Sequence, residues 1–213
     1  MHPRYRQRGF TLIELLVVVM LVSILAMLAI PAMIRANDDR LQFEDAQTMA
    51  EMFRRTRAQA VGRGAAHMIA ITANGASDRG KVIIYEAVQA NPGGVAGSDT
   101  PISTCKYPTN WNSASSYRQV NAFDMNRMAE QTAGVQSKLY WYRAATADNP
   151  TALYYCFSAS GRVYVATSAD FNAEQPSVYP VVIEITRNVG GVQTGRTRNI
   201  TIAPSGNALV QTK

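Results

Sequence analysis

Residues 8–17 read Arg8-Gly9-Phe10-Thr11-Leu12-Ile13-Glu14-Leu15-Leu16-Val17, and the apolar run they open decides the architecture. Between Phe10 and Ile34 only Thr11, Glu14, Ser23 and Pro31 break the run. About 20 residues at 1.5 Å rise span the roughly 30 Å hydrocarbon core, so residues 10–34 can cross a bilayer as a helix. Arg4, Arg6 and Arg8 precede the run with no acid among them, and Asp38 and Asp39 follow it. The positive-inside bias then keeps the N-terminus cytoplasmic and exports the bulk of the chain.

A cleaved secretory signal would carry a shorter apolar core, of about 7 to 15 residues, followed by a small-residue cleavage site. An ordinary membrane anchor accounts for the length and the arginines but not for Glu14. A buried core helix accounts for neither the arginines nor the uniform apolarity. A carboxylate inside such a span costs roughly 2.5–3.5 kcal/mol and is rarely left without a partner. No Lys or Arg lies between Phe10 and Ile34, so the expected partner lies outside the segment. A free amine on Phe10, created by a cut after Gly9, would serve; in a helical assembly it could belong to an adjacent subunit.

The basic leader, Gly9, Phe10, an acid five residues into the mature chain, the apolar run and Pro31 together resemble a type IV prepilin. The resemblance implies cleavage by prepilin peptidase between Gly9 and Phe10, N-methylation of Phe10, and a role for Glu14 in docking the subunit into a growing filament. Pro31 lacks a backbone donor and is expected to kink or loosen the helix. The implied fold is α+β and type IV pilin-like: a long N-terminal helix, apolar in its first half, packed through its second half on an antiparallel β-sheet domain. The implied organisation is a leader at 1–9, a membrane or filament-core helix at 10–34, an amphipathic half at 35–62 and a periplasmic β-rich domain at 63–213.

The second half of the helix is expected to present Ile34, Leu41, Met49, Met52, Phe53 and Ala60 on one face, with Gly62 and Gly64 ending it. Arg54, Arg55 and Arg57 read as a solvated face. Segments 68–72, 81–88, 138–143, 153–157, 162–167, 181–186 and 199–202 are short, rich in β-branched or aromatic residues, and separated by turn residues such as Asn74-Gly75, Ser160-Gly161, Gly190-Gly191 and Ser205-Gly206. Residues 91–134 shift toward Gly, Pro, Ser, Thr and Asn and read as an elaborated surface loop with a short helix near 123–129. Tyr107, Trp111 and Tyr117 either form a contact surface there or pin the loop onto the sheet.

The remaining chemistry is sparse. The 213 residues are 47% hydrophobic and 17% charged, too apolar for a disordered chain. An exported location permits a disulfide between Cys105 and Cys156, with two unpaired buried thiols as the alternative. His67 lacks ligand-like spacing to either cysteine, so no metal is expected. His2 would leave with the leader, and there is no nucleophile elbow, phosphate loop, dinucleotide fingerprint or zinc-protease motif. Neither catalysis nor a cofactor is expected.

From Phe10 onward the chain resembles the GspH/FimT (FimU-like) branch of minor pilins and pseudopilins, through its long helix, early sheet and closing Arg198-Asn199-Ile200-Thr201-Ile202-Ala203-Pro204-Ser205-Gly206. This implies other minor pilins and the major pilin as partners, with priming of filament assembly, a tip complex and a tip adhesin, or else the tip of a type II secretion pseudopilus. It also implies residence in the inner membrane before assembly and in the pilus, near its tip, afterwards. DNA-binding pilins of the FimT type are similar in carrying Gly-Arg-x-Arg near the C-terminus, and Gly195-Arg196-Thr197-Arg198 has those letters. Such guanidinium groups would contact DNA phosphates without reading sequence. The place after the last strand turn, however, is taken by Gly206-Asn207-Ala208-Leu209, without arginines. The overall charge does not argue for nucleic acid: loss of Arg4, Arg6 and Arg8 would lower the formal +6 by three, to +3.

Overall fold

Thr11 and Gly64 bracket a single helix, α1 (Leu12–Arg63). The computed structural model describes residues 10–72, 81–89, 99–106, 111, 113, 115–124, 135–143, 146–147, 152–189 and 192–212. Thr11 is extended and its Oγ1 accepts from Glu14 N at 3.3 Å, while Thr11 N donates back to the Glu14 carboxylate at 3.4 Å. This capping box satisfies amides that a helix start leaves orphaned. At the other end Gly64 takes the left-handed conformation, φ 65°, which stops the helix at little steric cost. The helix runs continuously through Pro31, which offers no N–H to Met27 O. Ser23 hides its hydroxyl within the apolar run by donating to Val19 O at 2.8 Å.

The two halves of α1 meet different surroundings. Its buried residues begin at Gln42 and continue through Ala46, Met49, Phe53 and Ala60, the three- and four-residue steps of one helix face. Ile34, expected on that face, is exposed and belongs to the apolar half; the core begins a little later than the sequence pattern suggests.

Eleven strands follow among the described residues: β1 (His67–Thr72), β2 (Lys81–Gln89), β3 (Thr100–Pro101), β4 (Tyr117–Asp124), β5 (Val135–Arg143), β6 (Thr146–Ala147), β7 (Ala152–Phe157), β8 (Val163–Ala166), β9 (Val181–Val189), β10 (Val192–Ile202) and β11 (Ala208–Thr212). They form two sheets rather than one. The first has the order β3-β2-β1-β7-β8, with β4 also paired to β2, and the second the order β11-β10-β9-β5-β6. Every pairing is antiparallel.

Alternation along the strands decides which side chains meet the helix. Ile69 and Ile71 of β1, Val82 and Ile84 of β2, and Leu153, Tyr155 and Phe157 of β7 join Met49 and Phe53 in one core. Ile183, Ile185, Ile200 and Ile202 complete it from the second sheet. Phe53 and Tyr155 meet edge to face at 5.1 Å. Fully burying each such side chain is worth about 1.5–3 kcal/mol. Burial also raises the Tyr155 hydroxyl well above the ordinary tyrosine range.

The first sheet is covered on its other face too. Met68, Tyr164, Trp111 and Phe171 pack there around a disulfide between Cys105 and Cys156. In the chain-entropy picture a loop of this separation, 51 residues, stabilises by about 4 kcal/mol.

The stretch read as an elaborated loop at 91–134 is more regular than its composition suggests. It contains β3 and the eight-residue β4, which pairs with β2 from Lys81↔Asp124 to Ala87↔Tyr117. Phe123, expected to begin a short helix, is a strand residue opposite Val82; residues 125–129 lie outside the described residues. Pairing to β2 supplies the order that Gln, Asn, Ser and Arg residues did not advertise. Trp111 is buried and donates Nε1 to Cys105 O at 3.2 Å, and Tyr117 packs on Tyr85 at 5.0 Å. Trp111 and Tyr117 thus pin this stretch onto the sheet and do not form a free contact surface, while Tyr107 is outside the described residues.

Candidate functional site

The first half of α1 is a continuous exposed apolar surface. Phe10, Leu12, Ile13, Leu15, Leu16 and Met27 are each more than half exposed, and the run continues to Ile34. The helix is long and apolar enough to cross a membrane, and none of its most apolar stretch is buried against the domain. A contiguous apolar surface of this extent needs lipid or another protein against it.

Glu14 lies within this surface, and its local partner differs from the one expected. The carboxylate is turned back onto Thr11, accepting from its N–H and approaching its hydroxyl at 3.5 Å. Hydrogen bonding is thus supplied from inside the segment, by the turn that starts the helix. Charge is not neutralised there, since the run carries no cation. Phe10, immediately before the cap, is 84% exposed. Gly9 lies outside the described residues.

The Gly195-Arg196-Thr197-Arg198 stretch sits where β10 changes register against β9, between Thr194 and Arg198. Gly195 has φ 74°, and Asp39 of α1 fills the space beside it: Asp39 Oδ1 accepts from Arg196 N at 2.7 Å. A Cβ on residue 195 would lie 2.9 Å from that oxygen. Arg198 is half-buried, its guanidinium 5.4 Å above the Phe43 ring and donating to Thr212 Oγ1. The two arginines are therefore unequal. Arg196 projects into solvent, whereas Arg198 ties β10 and β11 to the helix.

Arg54 and Arg57 also differ from a plain solvated face. Arg54 pairs with Glu51 at 3.2 Å and donates Nε to Ala208 O, while Arg57 lies against Gly206.

A row centred on one buried carboxylate, unanticipated from sequence, crosses the first sheet. Phe157, His67, Glu86 and Arg118 stand opposite one another on β7, β1, β2 and β4. Glu86 is almost fully buried and accepts from Arg118 Nε at 2.7 Å, while Arg63, in the last turn of α1, approaches its other oxygen at 2.9 Å. His67 is fully buried, with Nδ1 3.0 Å from Ala65 O. A carbonyl only accepts, so Nδ1 carries the proton and Nε2 is bare; it has no hydrogen-bond partner. Burial lowers the pKa of His67 below the ordinary histidine value, against opposing contributions from the Ala65 carbonyl and Glu86. A sequence signal for Glu86 did exist: it continues the inward parity of Val82 and Ile84. Among the described residues no group of three His, Cys, Asp or Glu could hold a metal ion.

Residues 4–30 match a family described as the prokaryotic N-terminal methylation motif. No curated protein sequence matches the chain. Among solved structures, the chain is similar to the type IV minor pilin FimU of Pseudomonas aeruginosa strain PAO1, at 16% identity and a TM-score of 0.38, over 84% of this chain and 90% of that one. The motif match falls on the residues that carry the prepilin resemblance, and the N-terminal segment is prepilin-like.

Proposed function

We propose that this chain is a minor pilin of a type IV pilus, made as a prepilin, held in the inner membrane by residues 10–34 and later packed into a filament by the same residues. The observation that carries the reading is the division of α1. Its second half is built into the domain core, while its first half is wholly exposed, apolar and headed by an N-terminal methylation motif. A simple anchor would need the apolar length but neither Glu14 nor the Gly9–Phe10 junction.

In this reading prepilin peptidase cuts after Gly9, Phe10 becomes the methylated N-terminus and the domain from residue 63 faces the periplasm. Glu14 meets the amine of a neighbouring Phe10 as subunits dock. Pro31 loosens the helix where it leaves the most apolar stretch. Priming of assembly and a place in the tip complex, beside other minor pilins, the major pilin and an adhesin, extend the same reading. A type II secretion pseudopilus would use the same handle. A DNA-uptake role draws less support, since Arg198 is engaged by Phe43 and Thr212 and leaves Arg196 as the exposed guanidinium of the motif.

Intact mass and N-terminal fragmentation of the chain expressed with a prepilin peptidase test the processing step. The expected product begins at Phe10 and is heavier by one methyl group. A product that retains Gly9, or one cut elsewhere, refutes the reading.

A further inference from the structure

The helix does not cover the whole first sheet. Its main partners are β10, β11 and β1, so β2 and β4 extend the sheet beyond its flank. A groove of about 580 Å³ results, with Met52 and Ile84 toward its floor, Arg55 and Gln59 on the helix wall and residues 120–123 of β4 on the other. Among the described residues β4 pairs with β2 alone, and Arg118 through Ala122 are exposed, so its outer edge presents unpaired backbone groups.

Charge is the second observation. Arg55, Gln59 and Arg63 succeed one another at four-residue steps and share one stripe of α1. At the end of that stripe Arg63 and Arg118 converge on the single carboxylate of Glu86, both through Nε. Two cations on one buried anion leave one positive charge over, and both side chains are about half exposed. Their Nη groups have no hydrogen-bond partner among the described residues. Because Glu86 fixes both guanidiniums, little ordering remains to be done when an anion arrives. Glu51, the acid in the groove, is already paired with Arg54.

We propose that this groove docks an extended acidic segment of a partner protein. The segment pairs its backbone with the free edge of β4, turns its apolar side chains across Val120 and Phe123 into the open side of the groove, and places a carboxylate on the Arg63–Arg118 pair. Strand addition provides the affinity, while the arginine pair selects an acidic sequence and fixes its register. This goes beyond the pilin reading, since it concerns a different face of the domain and holds whether or not residue 10 becomes the N-terminus.

The probe is an acetylated nonapeptide of alternating Val and Thr ending in two glutamates, compared with a twin ending in two glutamines. Binding to the full chain in detergent micelles is read by fluorescence anisotropy. The acidic peptide should bind at least tenfold more tightly than its twin, and less tightly as salt rises. The double variant Arg55→Glu/Gln59→Glu alters the groove without touching Glu86 and should weaken the acidic peptide at least tenfold. Arg118→Gln should do the same; if that variant does not fold, the groove variant carries the test. Equal binding of the two peptides, binding of neither, or binding of inorganic phosphate without discrimination between the peptides would overturn the proposal.

Discussion

His67 and Glu86 stand directly opposite each other on β1 and β2, both buried, yet the histidine's bare Nε2 has no hydrogen-bond partner while the carboxylate takes two arginines. The histidine is thus held neutral beside a carboxylate flanked by two guanidiniums. Unfolding returns His67 to its ordinary value near 6.5, whereas burial lowers it in the fold. The unfolded chain then binds the extra proton, so this stabilising contribution is complete above about pH 6.5 and is lost as the pH falls below it. One proton limits the slope to about 1.4 kcal/mol per pH unit. Thermal melts from pH 7.5 to 5 should show the decline, and His67→Asn, which keeps a donor for Ala65 O without titrating, should flatten it. An unchanged slope in the variant would assign the acid sensitivity to another group.

The same row predicts an asymmetry between the two sides of an ion pair. Removing both cations, Arg63→Ala with Arg118→Ala, strands a buried carboxylate and should cost about 3–5 kcal/mol. Glu86→Leu instead leaves two half-exposed guanidiniums that can return to water, so its cost should stay within about 1 kcal/mol. Urea denaturation of the three proteins in one detergent compares them. Equal losses would mean that packing around Glu86, rather than its charge, sets the energy.

Three glycines separate backbone strain from overpacking. Gly64 has φ 65° and open space where a Cβ would stand, so Gly64→Ala should cost only the left-handed penalty, about 1–2 kcal/mol. At Gly195 a Cβ would also press on Asp39 and Gln42, and at Gly206 it would lie 2.6 Å from the Phe157 ring and 2.8 Å from Arg57 Cδ. Alanine at 206 should add about 1–3 kcal/mol to the first penalty, with 195 in between because the Gln42 side chain can move. Melting temperatures in the order 64, 195, 206, from highest to lowest, are the expected result.

How much could be read in advance follows the range of each interaction. The helix, its end at Gly64, and strands such as Leu153–Phe157 are written in local periodicity and turn residues, so they were legible. Strand β4 was not: Arg118, Gln119 and Asn121 have little strand character, and what orders them is the edge of β2, more than thirty residues earlier in the chain. The division into two sheets was hidden for the same reason, since strand order is a property of pairing. Of the site residues, Glu14 is legible because an acid is conspicuous in an apolar run, whereas its capping bond to Thr11 rests on a three-residue spacing that the surrounding apolar residues mask. The Arg63–Glu86–Arg118 cluster joins three elements, and nothing in any one of them announces the other two.

Glu14 has two duties under the proposed function, and one substitution separates them. As the third residue of the helix it closes a capping box with Thr11, a task glutamine performs as well as glutamate. As the proposed docking group it must carry a negative charge for a neighbour's amine. Glu14→Gln therefore keeps the helix start and removes the charge, whereas Glu14→Ala removes both and should cost the start of α1 about 0.3–1.5 kcal/mol more. The β-sheet domain lies far along the helix from residue 14, so both variants should retain the Cys105–Cys156 disulfide and the wild-type domain fold. If charge drives docking, both should be absent from sheared filaments while accumulating in the inner membrane fraction, as immunoblots of the two fractions would show. If Glu14→Gln enters filaments like the wild type, the carboxylate's charge is not what recruits this subunit, and its role contracts to capping the helix.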